Sequence, residues 1–137
     1  MKINDRDKSS YLKGLLILAK RDKVLAESEE QIIKDIASRL GFSSDFYEYT
    51  LQNLIDNEFL TEEPVLFSDK KIAQLFIVDG FKLAHSDSHL DEREISWLQD
   101  TAIKNKIDME WFNSKLKEIK SKPNQLSLNE FALYSII

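Results

Sequence analysis

The 137-residue chain contains no cysteine, only three glycines and only two prolines. Without cysteine there is no disulfide scaffold, no thiolate zinc site and no cysteine nucleophile, which fits a reducing compartment. So few glycines and prolines leave little turn chemistry for a β-sandwich or barrel, and no glycine-rich loop to cradle a phosphate. The sequence also lacks an unbroken run of 18 apolar residues, the span a transmembrane helix needs. Its opening stretch MKINDRDKSSYLKG has neither the apolar region nor the cleavage site of a secretory signal. The expectation is a soluble cytoplasmic protein with no membrane insertion, for which peripheral association with a membrane complex stays open. No G-x-S-x-G, H-E-x-x-H or P-loop pattern occurs, so the chain is not expected to be an enzyme.

What is present fits one all-α domain, residues 1–137. Hydrophobic residues make up 42% and charged residues 31%, and a chain of this length buries roughly two thirds of its unfolded surface. The net charge of −5 is uneven: residues 40–69 hold seven acidic side chains and no basic one, whereas Lys115, Lys117, Lys120 and Lys122 crowd together late in the chain. An acidic total without a dominant basic stripe argues against nucleic-acid binding, because phosphate contacts supply most of that affinity. The lysine cluster reads as a solvated helix face.

Hydrophobic periodicity and cap signals predict about seven helices. The first, about Tyr11 to Arg21, is apolar on nearly every side and therefore central. The second runs from about Glu27 to Leu40, with Gly41 placed to end it. The third starts at Ser43 or Ser44, either a good N-cap, and carries Phe46, Tyr47, Leu51, Leu54 and Ile55. Residues 56–68, with Pro64, read as the linker. The fourth, from about Asp69 to His85, is again central, with Asp79 placed by the helical wheel at its polar boundary near Lys82. The fifth starts at Asp91, which has capping-box spacing to Glu94, and the sixth at Asp108. Ser127 and Glu130 announce a short last helix within about 128–137. Tyr47, Tyr49, Trp97, Trp111 and Phe112 fall at helical core spacing.

An internal repeat organises these helices. Shifted by 65 residues, positions 18–51 match 83–116 at nine places without a gap: Leu18/Leu83, Ala19/Ala84, Asp22/Asp87, Leu25/Leu90, Glu27/Glu92, Glu29/Glu94, Asp35/Asp100, Ala37/Ala102 and Leu51/Leu116. Chance gives about two or three. The chain therefore reads as two similar three-helix units, about 9–57 and 69–121, joined by a linker at about 58–68 and followed by the C-terminal helix. The apolar first helices of the two units are expected to pack together, with Gly14 and Gly80 allowing close approach.

The repeat is densest at the corner between the first two helices of each unit, LAKRDKVLAESE at 18–29 and LAHSDSHLDERE at 83–94. Asp22 and Asp87 fall at a helix C-terminus, where the macrodipole disfavours negative charge, so something local should compensate. One reading is structural: each aspartate accepts backbone N–H groups at the corner, while Glu29 and Glu94 serve the next helix start. The other is a divalent cation, because Asp22 with Glu29, or Asp87 with Glu94, offers hard oxygen ligands across a tight corner. An EF-hand is excluded, since its twelfth position would be Ile33 or Leu98. His85 and His89 invite a transition-metal proposal, but they flank a corner rather than share a continuous helix face, and read as exposed turn residues.

Two helical repeats that each carry A-x-x-D, an apolar residue three on and a glutamate seven on resemble the tellurite-resistance TerB family, also found as a domain of membrane-anchored DnaJ-type co-chaperones. The resemblance spans about residues 9–121. It implies a compact, roughly seven-helix bacterial domain, tied to stress or tellurite response and working as a metal-associated or complex-forming module. The family's acidic positions fall on Asp22, Glu29, Asp87 and Glu94, while Lys23 and Ser88 stand where its glycine often follows the aspartate. The expected function is a non-catalytic interaction or sensing module whose partner is another protein, with a divalent cation as candidate ligand. The alternatives are an ion-free interaction domain and, last, a carboxylate-based hydrolase.

Overall fold

The computed structural model describes residues 3–20, 27–56, 63–84, 92–121 and 132–135. Within them lie six α-helices: α1 (Asp5–Lys20), α2 (Glu27–Arg39), α3 (Ser44–Asp56), α4 (Lys70–Ala84), α5 (Glu92–Lys104) and α6 (Met109–Lys120). A 3₁₀ turn, Ala132–Ser135, stands where the last helix is expected, and there is no strand among the described residues. The signals at Ser127 and Glu130 lie outside the described residues.

The two units share their backbone register. α4, α5 and α6 each start 65 residues after α1, α2 and α3. Their caps recur at the same offset. Asn4 Oδ1 accepts the Asp7 N–H at 2.8 Å at the start of α1, and Asp69 Oδ1 accepts the Lys71 N–H at 2.7 Å at the start of α4. Ser43 Oγ accepts the Phe46 N–H at 3.1 Å before α3, and Asp108 Oδ1 the Glu110 N–H at 3.3 Å before α6. These side chains satisfy donors that a helix start leaves unpaired. The second and fifth helices end alike: Gly41 has φ 96° and Lys106 φ 59°, with Phe42 N–H donating to Ala37 O and Ile107 N–H to Ala102 O. Both are Schellman endings, which turn the chain through a left-handed residue that glycine adopts at least cost.

α1 and α4 form the centre and pack on each other. Tyr11, Leu12 and Leu15 to Ala19 are buried along α1, and Ile72, Ala73, Phe76, Ile77 and Phe81 along α4. Side chains of this size contribute about 1.5–3 kcal/mol each when fully buried. The glycines mark close approaches. A Cβ on Gly14 would lie 2.5 Å from Phe76 Cζ of α4, and one on Gly80 would lie 2.6 Å from Leu98 of α5 and 3.3 Å from Leu18 of α1. Gly14 thus serves the contact between central helices, whereas Gly80 mainly admits α5.

Residues 63–69 cross between the units as an extended strap. Val65 and Phe67 point into the core. Buried Asn105 fastens their backbone, accepting the Phe67 N–H at 2.9 Å and donating to Val65 O at 2.8 Å. At the far end, the Ser68 N–H and hydroxyl donate to the two carboxylate oxygens of buried Asp7, at 3.0 and 2.5 Å. These contacts satisfy the Val65 C=O and the Phe67 N–H where the strap enters the core.

Candidate functional site

The corner carboxylates are only partly placed. Asp22 and Asp87 lie outside the described residues, as do His85, His89 and Asp91. Glu29 is placed by its backbone alone, in the first turn of α2. Glu94 sits in the first turn of α5 and is 5% exposed. Among the described residues, no three His, Asp or Glu side chains cluster as metal ligands.

Asp79 is not at a polar boundary. It is fully buried at 0% exposure. Its Oδ2 accepts the Tyr11 hydroxyl and the Leu133 N–H at 3.0 Å, and its Oδ1 accepts the Ala132 N–H at 2.5 Å. Burial raises its pKa to about 6, outweighing these hydrogen bonds and the charge of Lys82, which favour the ionised form. The partners come from α1 and the C-terminal turn, so Asp79 latches the last described segment onto α4. A wheel drawn on α4 alone cannot reveal partners 68 residues upstream and 53 and 54 downstream.

A polar groove lies at the corner between α2 and α3, with a volume of about 230 Å³. Gln31, Lys34, Asp35 and Ser38 contribute from α2, Phe42 from the connection and Tyr47 from α3. Tyr47 is 1% exposed, and its hydroxyl is buried with no hydrogen-bond partner among the described residues. Burial raises its pKa, and the charges of Glu30 and Glu48 push in the same direction. The phenol therefore stays protonated in a region of negative potential. A buried hydroxyl without a partner costs about 1–3 kcal/mol, so its retention calls for a reason.

The exposed side of α3 is acidic and aromatic. Asp45 and Glu48 are exposed on α3. Lys34 approaches Glu48 at 3.9 Å, with both side chains about half exposed. Phe42 and Phe46 stack with centroids 4.9 Å apart. Phe46 is 42% and Tyr49 68% exposed, so two aromatic residues expected inside are presented to solvent.

Comparison with family models, curated proteins and solved structures gives no match.

Second-unit counterparts make the groove distinctive. At the positions 65 residues beyond Ser38, Phe42, Ser44 and Tyr47 stand Ile103, Ile107, Met109 and Phe112. Glu30 and Glu48 correspond to Ile95 and Asn113. Phe42 apart, the first unit carries hydroxyls and acids at these positions where the second carries apolar or amide side chains, whereas Asp35, Ser43 and Asp45 correspond to Asp100, Asp108 and Glu110. Core spacing alone correctly places Tyr47 inside, but says nothing about its hydroxyl; the Tyr47/Phe112 mismatch within the repeat is the signal that could have drawn attention to it.

Proposed function

We propose that this chain is a non-catalytic protein-binding module that meets its partner through the α2–α3 face of its first unit. The observation that carries this reading is the exposure of Phe46 and Tyr49 beside Asp45 and Glu48. Exposed aromatic residues at interfaces supply large contact area at low entropic cost. Elsewhere in the acidic segment 40–69, Glu63 and Asp69 are also exposed. Bases from neighbouring helices meet it at two described places: Lys34 stands opposite Glu48, and Lys104 donates to Pro64 O at 2.9 Å. The likeness of the corner motif to TerB supplies the biological context we attach to the module, a bacterial stress-response or tellurite-resistance system in the cytoplasm. No described helix is long and apolar enough to cross a membrane.

The test is in-cell crosslinking in the native organism, comparing the native chain with Phe46→Ala/Tyr49→Ala and with Ile103→Ala on the second unit. Loss of one specific crosslinked protein in the double variant only, with an unchanged melting temperature, supports the reading. Equal capture by all three chains, or no specific capture by any, sinks it.

A divalent cation at the corner carboxylates is the second reading, motivated by the buried carboxylate of Glu94 at the start of α5. A cation at 100 times its Kd stabilises by about 2.7 kcal/mol. Thermal melts in millimolar Ca²⁺ or Mg²⁺ against chelator decide it; coincident curves exclude such a site.

A further inference from the structure

We propose that the α2–α3 groove receives the guanidinium of an arginine carried on a basic peptide segment of the partner, bound by Asp35 and the Tyr47 hydroxyl beside the Lys34–Glu48 pair. This rests on the protein-binding reading and names the chemistry its partner must bring.

Four observations converge on a cation. Asp35 lines the groove, and Gln31 Nε2 holds its Oδ1 at 3.2 Å, which fixes the carboxylate. Glu30 and Glu48 act electrostatically on the Tyr47 hydroxyl. The base at the site is Lys34, whose 3.9 Å approach to Glu48 joins two largely exposed groups, and such pairs are worth about 0–1 kcal/mol. An incoming guanidinium can displace that ammonium at little cost. The positive end of α3 is already engaged, because Ser43 Oγ takes the Phe46 N–H and Asp45 lies in the first turn.

The Tyr47 hydroxyl separates this site from a merely acidic surface. Its oxygen can accept a guanidinium N–H, giving the buried group a partner that it has nowhere among the described residues. A guanidinium has five donors in a planar fork and stacks on aromatic faces, so it can engage a carboxylate and the phenol oxygen while Phe42, which also lines the groove, offers a ring face. An ammonium provides neither the fork nor the stacking plane. An approaching peptide must first move the exposed side chains of Gln31 and Lys34 at the mouth. The second unit offers no equivalent site, since Phe112, Ile95 and Asn113 replace the hydroxyl and both flanking acids.

The experiment titrates the full chain with a tetra-arginine peptide, following backbone amide shifts by NMR, with tetra-lysine, tetra-glutamate and free arginine as comparators. Saturable shifts confined to residues 30–48 are expected with tetra-arginine. Tetra-lysine should bind several-fold more weakly, as should free arginine at equal guanidinium concentration. Tyr47→Phe, which installs the residue already found at the matching place in the second unit, should weaken tetra-arginine binding about tenfold, the size of a hydrogen bond to a charged group. Asp35→Asn should weaken it at least as much. A melt shows that each variant is folded. The proposal is overturned if tetra-arginine gives no saturable shifts, if Tyr47→Phe binds like the native chain, if lysine and arginine peptides bind equally, if free arginine binds as tightly as the peptide, or if tetra-glutamate takes the groove. If crosslinking through Phe46 and Tyr49 fails while the peptide still binds, the partner face falls and the guanidinium site stands. If crosslinking succeeds but Tyr47→Phe has no effect on peptide binding, only the guanidinium site falls.

Discussion

The two units share helix starts, caps and a left-handed corner residue, yet they spend polar groups differently. In the second, the buried Asp79 receives the Tyr11 hydroxyl and two N–H groups of the C-terminal turn. Its counterpart 65 residues earlier is Gly14, where any side chain would strike Phe76. In the first, the unusual polar group is the Tyr47 hydroxyl, buried without a partner among the described residues. Its counterpart is Phe112. One unit thus uses a buried polar group to close the fold, and the other retains one at a groove. A duplicated backbone can carry both because helix register is fixed by caps and apolar spacing, leaving single positions free to diverge.

Asp79 offers the largest break in this comparison. Asp79→Ala removes the acceptor from three donors at once and should cost about 2–4 kcal/mol, read as a lower denaturation midpoint. Asp79 also carries a pH signature: its carboxyl signal should titrate near 6 rather than near 3.8. The raised value means that the folded state binds this proton more tightly than the unfolded state. The associated stability is present below about pH 4 and is lost as pH rises through about 6. The stability advantage of the native chain over Asp79→Asn should therefore shrink over that interval, and a constant difference would contradict the assignment.

Gly14→Ala attacks the matching position in the first unit. The added methyl meets fully buried Phe76, and overpacking of this kind costs about 1–3 kcal/mol. Calorimetry showing no loss would mean that the central helices separate more easily than their packing indicates.

Two smaller changes make the units more alike. Tyr47→Phe removes the unpartnered hydroxyl and should leave stability unchanged or raised by about 1 kcal/mol, the reverse of its expected effect on peptide binding. A lower midpoint would mean that the hydroxyl has a partner in the free protein. Lys106→Gly gives the second unit the first unit's corner residue at φ 59°. It should raise stability by up to about 1 kcal/mol, because relief of left-handed strain exceeds the added unfolded-state entropy.

The repeat, six helix positions and the central place of α1 and α4 were legible because periodicity and caps are local signals. The start of α1 was not: Asp5 to Ser10 precede the apolar stripe, and only Asn4 with the acidic Asp5 and Asp7 marks the helix entry. Asp79 was misplaced because its partners are distant in sequence. Tyr47 was placed in the core correctly, but an absent hydrogen bond depends on every neighbour at once. Phe46 and Tyr49 follow the helical spacing of core residues, yet no described helix covers that part of α3.

The rings of Tyr11 and Phe76 meet edge to face with centroids 5.3 Å apart, and these residues occupy the same place in their respective units, 65 positions apart. A position that touches its own counterpart lies on the seam along which two like bodies join. In the language of assembly, this single chain already contains its dimer. The apolar central helix of each unit is spent on the other, so among the described helices the outer ones are left for any visitor to hold, a second copy of the chain included.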